Sequence, residues 1–358
     1  MDEYRDKQLI DGLINQIHRK SSRPYAFMEV CGGHTMAIHK FGIPSLLPDT
    51  LRLKSGPGCP VCVTAQSYID RAVAYARMHD VMVCTHGDLL RVPGSRLSLY
   101  EARADGADIR IVYSLLEALG LAREHSSRRV VFLGIGFETT APGSAVGIWK
   151  ARQEGIDNFC LLSSHKLMPP AMEAIVNEGV KIDGYLCPGH VSTITGSSIY
   201  KDIPDKYGLA CVISGFEPAD ILQSVLMLIE QVNSGRPDVE IQYKRAVQPE
   251  GNLKARAFME KVFVPRDDWW RGLGMLEKSG LQIREEYRHY DAEYVMPLDV
   301  SEKEENRGCI CGDILRGQKD PHDCKLFGHV CTPVNPVGAC MVSSEGACQA
   351  HYKYKRYE

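Results

Sequence analysis

Short apolar runs alternating with helical patterns predict an α/β protein: two parallel-sheet α/β modules facing a central cleft, with a cysteine-rich region at the C-terminus. Three observations carry that expectation. Strand-like runs recur at 25–30, 51–54, 81–84 and 109–113, and a second series follows at 130–135, 159–162, 184–187 and 210–213. The pattern changes near residue 236. Six of the thirteen cysteines then fall within the last 50 residues. The expected division is 1–125 for the first module, 126–235 for the second and 236–358 for the C-terminal region.

In chain order, residues 6–20 carry Leu9, Ile10, Leu13, Ile14 and Ile17 at helical spacing, which predicts a helix docked on its own domain. The run 25–30 leads into Cys31-Gly-Gly-His-Thr35 and a short helix from Met36. The run 51–54 leads into Ser55-Gly-Pro-Gly-Cys-Pro-Val-Cys62 and a helix over 63–78; 81–84 leads into Thr85-His-Gly-Asp88, and 109–113 into a helix over 115–123. In the second series, 130–135 runs into Gly136-Phe-Glu-Thr-Thr-Ala-Pro142 and a helix to Glu154. The run 159–162 reaches Ser163-Ser-His-Lys166, 184–187 reaches Pro188-Gly-His-Val-Ser192, and 210–213 reaches a helix start at Glu217-Pro-Ala-Asp220. Beyond 236 come a strand at 239–245, a helix at 253–262, an aromatic stretch with Trp269 and Trp270, and a tail broken by turns. The charge run at 302–305 reads as a solvated linker.

At 358 residues with 44% apolar content, the chain can bury a conventional core in each of two or three domains. A formal charge of −3 with interspersed signs predicts binding neither to nucleic acid nor to an anionic membrane. The N-terminal residues lack an apolar signal core, and no uncharged apolar run reaches the ~18 residues of a membrane span, so a cytoplasmic protein is expected. An odd, uneven cysteine count there points to metal or redox chemistry rather than a secreted disulfide framework.

Ligands of open parallel sheets bind at the carboxyl ends of strands, where each of these loops lies. The Cys59-x-x-Cys62 spacing at a strand-to-helix turn is a redox and metal geometry, and the amides of a helix start favour one thiolate. Two incidental buried thiols in a capping loop are the alternative. Cys31 precedes two glycines on an open loop, a setting for a single thiolate that holds low-valent iron or a covalent intermediate. His34 beside it is a candidate proton donor or a structural histidine. Glu138 is a candidate catalytic carboxylate or a cap for the helix that follows. His165 with Lys166, and His190 with Ser192, could orient a small anion. Cys84, Cys160, Cys187 and Cys211 lie in apolar strands and read as small core side chains.

The tail runs Cys309-x-Cys311-x12-Cys324-x6-Cys331-x8-Cys340-x7-Cys348. Six thiols in turns bind metal, pair as disulfides, or both. Only Cys309 and Cys311 are closely spaced, whereas structural zinc usually shows two tight knuckles, so a [4Fe-4S] cluster is favoured over zinc. Four ligands would leave two thiols as a redox pair.

Taken together, Cys31-Gly-Gly-His-Thr35, Gly56-Pro-Gly-Cys-Pro-Val-Cys62, Gly136-Phe-Glu-Thr-Thr140, Pro188-Gly-His-Val-Ser192 and the six-cysteine tail resemble the HypD family of [NiFe]-hydrogenase maturation factors. Met36 stands where that family usually has a second histidine. The resemblance implies a scaffold that assembles the Fe(CN)2CO group together with the chaperone HypC and receives cyanide from HypE, which works with HypF. It implies that Cys31 holds that iron, that Cys59 and Cys62 are an internal thiol pair, and that the tail carries a [4Fe-4S] cluster. The ligand set expected on that basis is Cys324, Cys331, Cys340 and Cys348, with Cys309 and Cys311 as the redox pair. A free-standing thiol–disulfide reductase and a zinc-stapled binding module are the other readings.

Overall fold

The computed structural model describes residues 2–300 and 308–354, so the charge run at 302–305 lies outside the described residues. Nine parallel strands form two sheets. These are β1 (Tyr25–Glu29), β2 (Leu51–Ser55), β3 (Val81–Thr85), β4 (Ile109–Ile111), β5 (Arg129–Gly136), β6 (Phe159–His165), β7 (Gly184–Pro188), β8 (Ala210–Ser214) and β9 (Val239–Ile241). One sheet has the order β2-β1-β7-β8-β9 and the other β4-β3-β5-β6. The α/β expectation holds.

The sheets correct the expected boundaries. β3 pairs with β5 across residue 125, so β3 to β6 form one sheet, while β1 pairs with β7, so β1 and β2 share the other with β7 to β9. The second sheet is therefore inserted between β2 and β7 of the first. A sequence of equivalent strand–helix units carries no mark of which strands pair, so chain order was a poor guide. Residues 236–300 also serve the body. β9 closes the first sheet, and an antiparallel hairpin of β10 (Phe263–Trp270) and β11 (Gly274–Ile283) covers the end of β6. There Ser163 Oγ donates to the Leu281 carbonyl at 2.8 Å and Leu167 N–H to that of Ser279 at 2.8 Å.

The Trp-rich stretch is thus a strand, with Trp270 fully buried and its indole N–H donating to Ser279 Oγ at 2.9 Å. This hairpin also interrupts the helix expected over 63–78. Thr64 bridges Trp270 and its carbonyl accepts from Arg271 Nε at 2.9 Å, so the chain is extended there. Two helices result, Pro60–Val63 and Gln66–Ala76.

Apolar side chains run continuously from one sheet to the other. Met28, Val30, Tyr185 and Ile213 of the first sheet's neighbourhood share one apolar cluster with Val83, Val131, Leu133 and Leu162 of the second. Tyr68 and Tyr185 satisfy their buried hydroxyls there on the Leu162 and Met172 carbonyls. The helix Lys7–Lys20 buries Leu13 and Ile17 against the other face of the first sheet, beside Phe27 and Leu186. Cys84, Cys160, Cys187 and Cys211 are wholly buried in the strands, as expected of small apolar side chains. No helix among the described residues is long and apolar enough to cross a membrane.

Candidate functional site

β1 and β2 are in register from Tyr25↔Leu51 to Glu29↔Ser55, so the loops that follow them leave the sheet side by side. Gly32 N–H donates to the Gly58 carbonyl at 2.9 Å, and Gly56 N–H to that of Glu29 at 2.8 Å. A Cβ at position 58 would lie 2.1 Å from the Cys31 backbone nitrogen, which is why glycine stands there. The Cys31 loop and the Cys59–Cys62 loop thereby become one structure. Cys59 and Cys62 are joined by a disulfide, both are buried, and Cys59 Sγ accepts from Cys62 N–H at 3.2 Å.

Cys31 is half-buried and sits at the N-cap of the helix Gly32–Lys40. Its thiolate was expected to be favoured there. Instead burial pushes the thiol up to about 12, with the Glu345 carboxylate adding to the rise. Desolvation outweighs the amides of a helix start. Glu29, a buried residue that sequence reasoning passed over, accepts from Cys31 N–H at 3.1 Å and from Thr35 Oγ1, yet burial still lifts it to about 8. Its signal was a lone carboxylate in the otherwise apolar run before Cys31. Glu345 of the tail lies over the same loop, since a Cβ on Gly32 would meet Glu345 Cβ at 2.4 Å.

His34 is fully buried. Its Nε2–H donates to the Ser214 and Gly215 carbonyls at 3.2 and 3.0 Å, its ring stacks on Phe216 at 4.6 Å, and burial lowers its pKa to about 4. It ties the Cys31 loop to the end of β8, and its neutral ring at pH 7 has no proton to give beyond that bond. In this position the ring holds the loop against the end of β8. Glu138 caps a helix, but the one at Met168–Asn177 rather than the one following it in sequence: its Oε1 accepts from Met168 N–H at 3.0 Å. Lys166 is buried in an ion pair with Asp268 at 2.8 Å, and His165 Nε2 bonds Ser144 Oγ at 2.8 Å, so both are structural rather than anion ligands. Ser192 Oγ donates to the Pro188 carbonyl, while exposed His190 stacks on Phe216 at 4.0 Å.

In the tail, Cys309, Cys311, Cys324, Cys331 and Cys348 line one small cavity walled by Ile314, Leu326, Phe327 and Met341. Cys340 does not line it. The Cys311 sulfur is 3.2 Å from that of Cys309 and also hydrogen-bonds with Cys340 and Cys348. Gly338 leaves room for these sulfurs, since a Cβ there would lie 2.6 and 2.7 Å from Cys311 and Cys309 Sγ. Among the described residues no three metal-binding side chains converge tightly on one point. Zinc needs that convergence within ~2.3 Å, whereas the thiolates of an iron–sulfur cluster each hold a different iron around a larger body. The turn Ala339–Met341, which carries Cys340, packs on the helix Pro60–Val63 beside the disulfide. Tail, disulfide and Cys31 are thus consecutive neighbours in space.

A family model named HypD, described as a hydrogenase formation hypA family, matches residues 8–355. The chain is 49% identical to the hydrogenase maturation factor HypD of Azotobacter vinelandii, covering 99% of this chain and 97% of that one. It is 48% identical to the hydrogenase maturation factor HypD2 of Bradyrhizobium diazoefficiens, with the same coverage. Identity to the hydrogenase maturation factor HypD of Cupriavidus necator is 47%, over 100% of this chain and 97% of the relative.

Proposed function

The chain belongs to the HypD family of hydrogenase maturation factors, and from that premise we propose that it is the scaffold on which, with HypC, the Fe(CN)2CO group is assembled. Cyanide would arrive from HypE working with HypF. The observation that carries this reading is the union of the Cys31 loop with the Cys59–Cys62 loop at paired strand ends. Cys31 would hold the iron, its proton leaving as the metal binds, with the buried carboxyl groups nearby favouring a cation.

The tail thiols Cys309, Cys324, Cys331 and Cys348 would hold a [4Fe-4S] cluster. This proposal takes Cys309 in place of Cys340, which does not line the cavity, and sets aside Cys311, the fifth cysteine lining it, as the partner of Cys340, to whose sulfur its own is bonded. When bound, such a cluster supplies single electrons. Cys311 and Cys340 form the adjacent dithiol, and the next sulfurs along the path belong to Cys59–Cys62. Reducing that disulfide takes two electrons and two protons and yields two thiols beside Cys31. The same burial disfavours the free-standing reductase, since Cys59 and Cys62 offer a protein disulfide no exposed sulfur.

Infrared spectra of the copurified HypC complex test the reading. The wild type should show CO and cyanide bands, and Cys31→Ser should lose them while keeping cluster absorbance. Unchanged bands in Cys31→Ser would place the iron elsewhere.

A further inference from the structure

The scaffold reading leaves a second site unused. Glu138, Thr195 and Arg256 line a cavity of about 390 Å³ with apolar walls that include Leu167, Ile199 and Met259. This lies in the size range of small-molecule pockets and has their character, apolar walls with few polar groups. Glu138 is only 3% exposed, and its Oε2 has no hydrogen-bond partner, although Oε1 is held by Met168 N–H. A cap needs one oxygen. The second is a buried acceptor left unsatisfied at the pocket wall, at a cost of ~1–3 kcal/mol that a ligand donor would recover.

Thr195 adds a matching group. Its hydroxyl proton is directed to the Val191 or Gly196 carbonyl, at 3.1 and 3.2 Å, so toward any ligand it can only accept. With the Glu260 carboxylate also on the wall, acceptors outnumber the one donor side chain, Arg256, and call for a ligand head that donates more than one hydrogen bond. We propose that this pocket binds a small molecule with a primary amide or ammonium head and a short apolar body. The Glu138 oxygen and the Thr195 hydroxyl take the two N–H bonds, and the body lies against Leu167, Ile199 and Met259. The half-buried Arg256, whose guanidinium donates to the Glu250 carbonyl at 3.2 Å, and Glu260 one turn along the same helix put opposite charges on the pocket wall, so the wall as a whole favours neither a cationic nor an anionic tail.

The two heads are separable. Burial raises the Glu138 carboxyl to about 7. A primary amide satisfies it in either protonation state, since the amide both donates and accepts, whereas ammonium binds only the ionised form.

Calorimetric titration of the full chain with butyramide, n-butylammonium and butyrate tests this. At least one of the first two should bind saturably, and butyrate, which has no donor, at least tenfold more weakly. Glu138→Gln keeps the cap on Met168 and the shape of the pocket. It should weaken butylammonium tenfold or more while leaving butyramide within about threefold, and Glu138→Ala should weaken both. In the wild type, butylammonium binding should strengthen as pH rises through 7 and butyramide binding should stay flat. Butyrate binding as tightly as the donors, affinity unmoved in Glu138→Ala, or no saturable binding of any of the three would overturn the proposal. Should Glu138→Ala not fold, Glu138→Gln and the butyrate comparison decide it.

Discussion

Cys31 leaves β1 in a loop whose backbone is bonded to the loop after β2, whereas Cys311 opens the five-residue helix Cys311–Leu315 and its sulfur contacts three other sulfurs. In the body, strand register places the thiols, and the sulfur atoms are passengers. In the tail the thiols are much of the local core, with short turns between them. Strand hydrogen bonds hold a cysteine position whatever side chain occupies it, whereas a sulfur-lined cavity needs the sulfurs and what they bind. The two regions should therefore answer differently to the loss of one cysteine.

The largest effect is expected from Cys331→Ala. Cys331 lines the cavity and its sulfur accepts from Val337 N–H at 3.3 Å, so the substitution removes a proposed ligand and a turn contact together. A loss on the order of 5 kcal/mol in the tail's local stability is expected, part of the ~10–16 kcal/mol by which bound metal holds small structural sites. Hydrogen exchange should show the tail opening while β5 and β6 stay protected, and cluster absorbance should vanish. If tail protection is unchanged in Cys331→Ala, the contrast between the regions fails. Cys340→Ala sharpens it further. That variant should keep cluster iron and sulfide if the revised ligand set holds, and lose them if Cys340 is a ligand.

The same contrast explains what was legible in the sequence. The inner strands were readable as apolar runs, because a parallel strand buried on both faces, such as β3, β5, β6, β7 or β8, is apolar almost throughout, whereas the edge strands β2 and β4 carry exposed arginines and were read from the turns around them. Their pairing was not. The insertion of β3 to β6 between β2 and β7 depends on tertiary contacts that leave no periodicity in the sequence. The Cys31 and Cys59–Cys62 loops stood out because glycine and proline mark the turns, but the reason Gly58 is glycine, a backbone contact with Cys31, appears only in three dimensions. Elevation of the Cys31 thiol was missed because helix-start amides are visible in a sequence and burial is not. In the tail, spacing predicted a metal site without sorting the proposed ligands from the other thiols, since a turn can point neighbours such as Cys309 and Cys311 in either direction.

Gly58→Ala should be the next largest perturbation. Its Cβ would meet Cys31 N at 2.1 Å, the Val30 carbonyl carbon at 2.3 Å and Cys31 Cα at 2.4 Å, and backbone cannot rotate away as a side chain can. We expect roughly 4 kcal/mol of destabilisation, above the usual 1–3 for overpacking. Separation of the two loops should change the alkylation rate of Cys31 and leave the tail cluster in place. Unaltered stability and Cys31 reactivity in Gly58→Ala would show that the loops are not held by this contact.

The smallest effect separates the regions by pH. Glu138 has its carboxyl raised from 4.5 to about 7 by burial, so the folded body binds that proton more tightly than the unfolded chain. Its contribution to stability is complete below about 4.5 and is lost as pH rises through 7, a fall of about 2 kcal/mol between pH 5 and 8. The tail thiols run the other way. Cys348, a proposed ligand, is raised by hydrogen bonding to Cys311 and by burial, and cluster ligands must be deprotonated, so cluster retention should strengthen over the same interval. Glu138→Gln removes the titrating group and keeps the cap on Met168, so it should flatten the pH dependence of body unfolding and leave that of cluster retention untouched. A variant whose body stability still falls by the wild-type amount between pH 5 and 8 would assign that proton to another buried group, with Glu29, raised to about 8, the first to test.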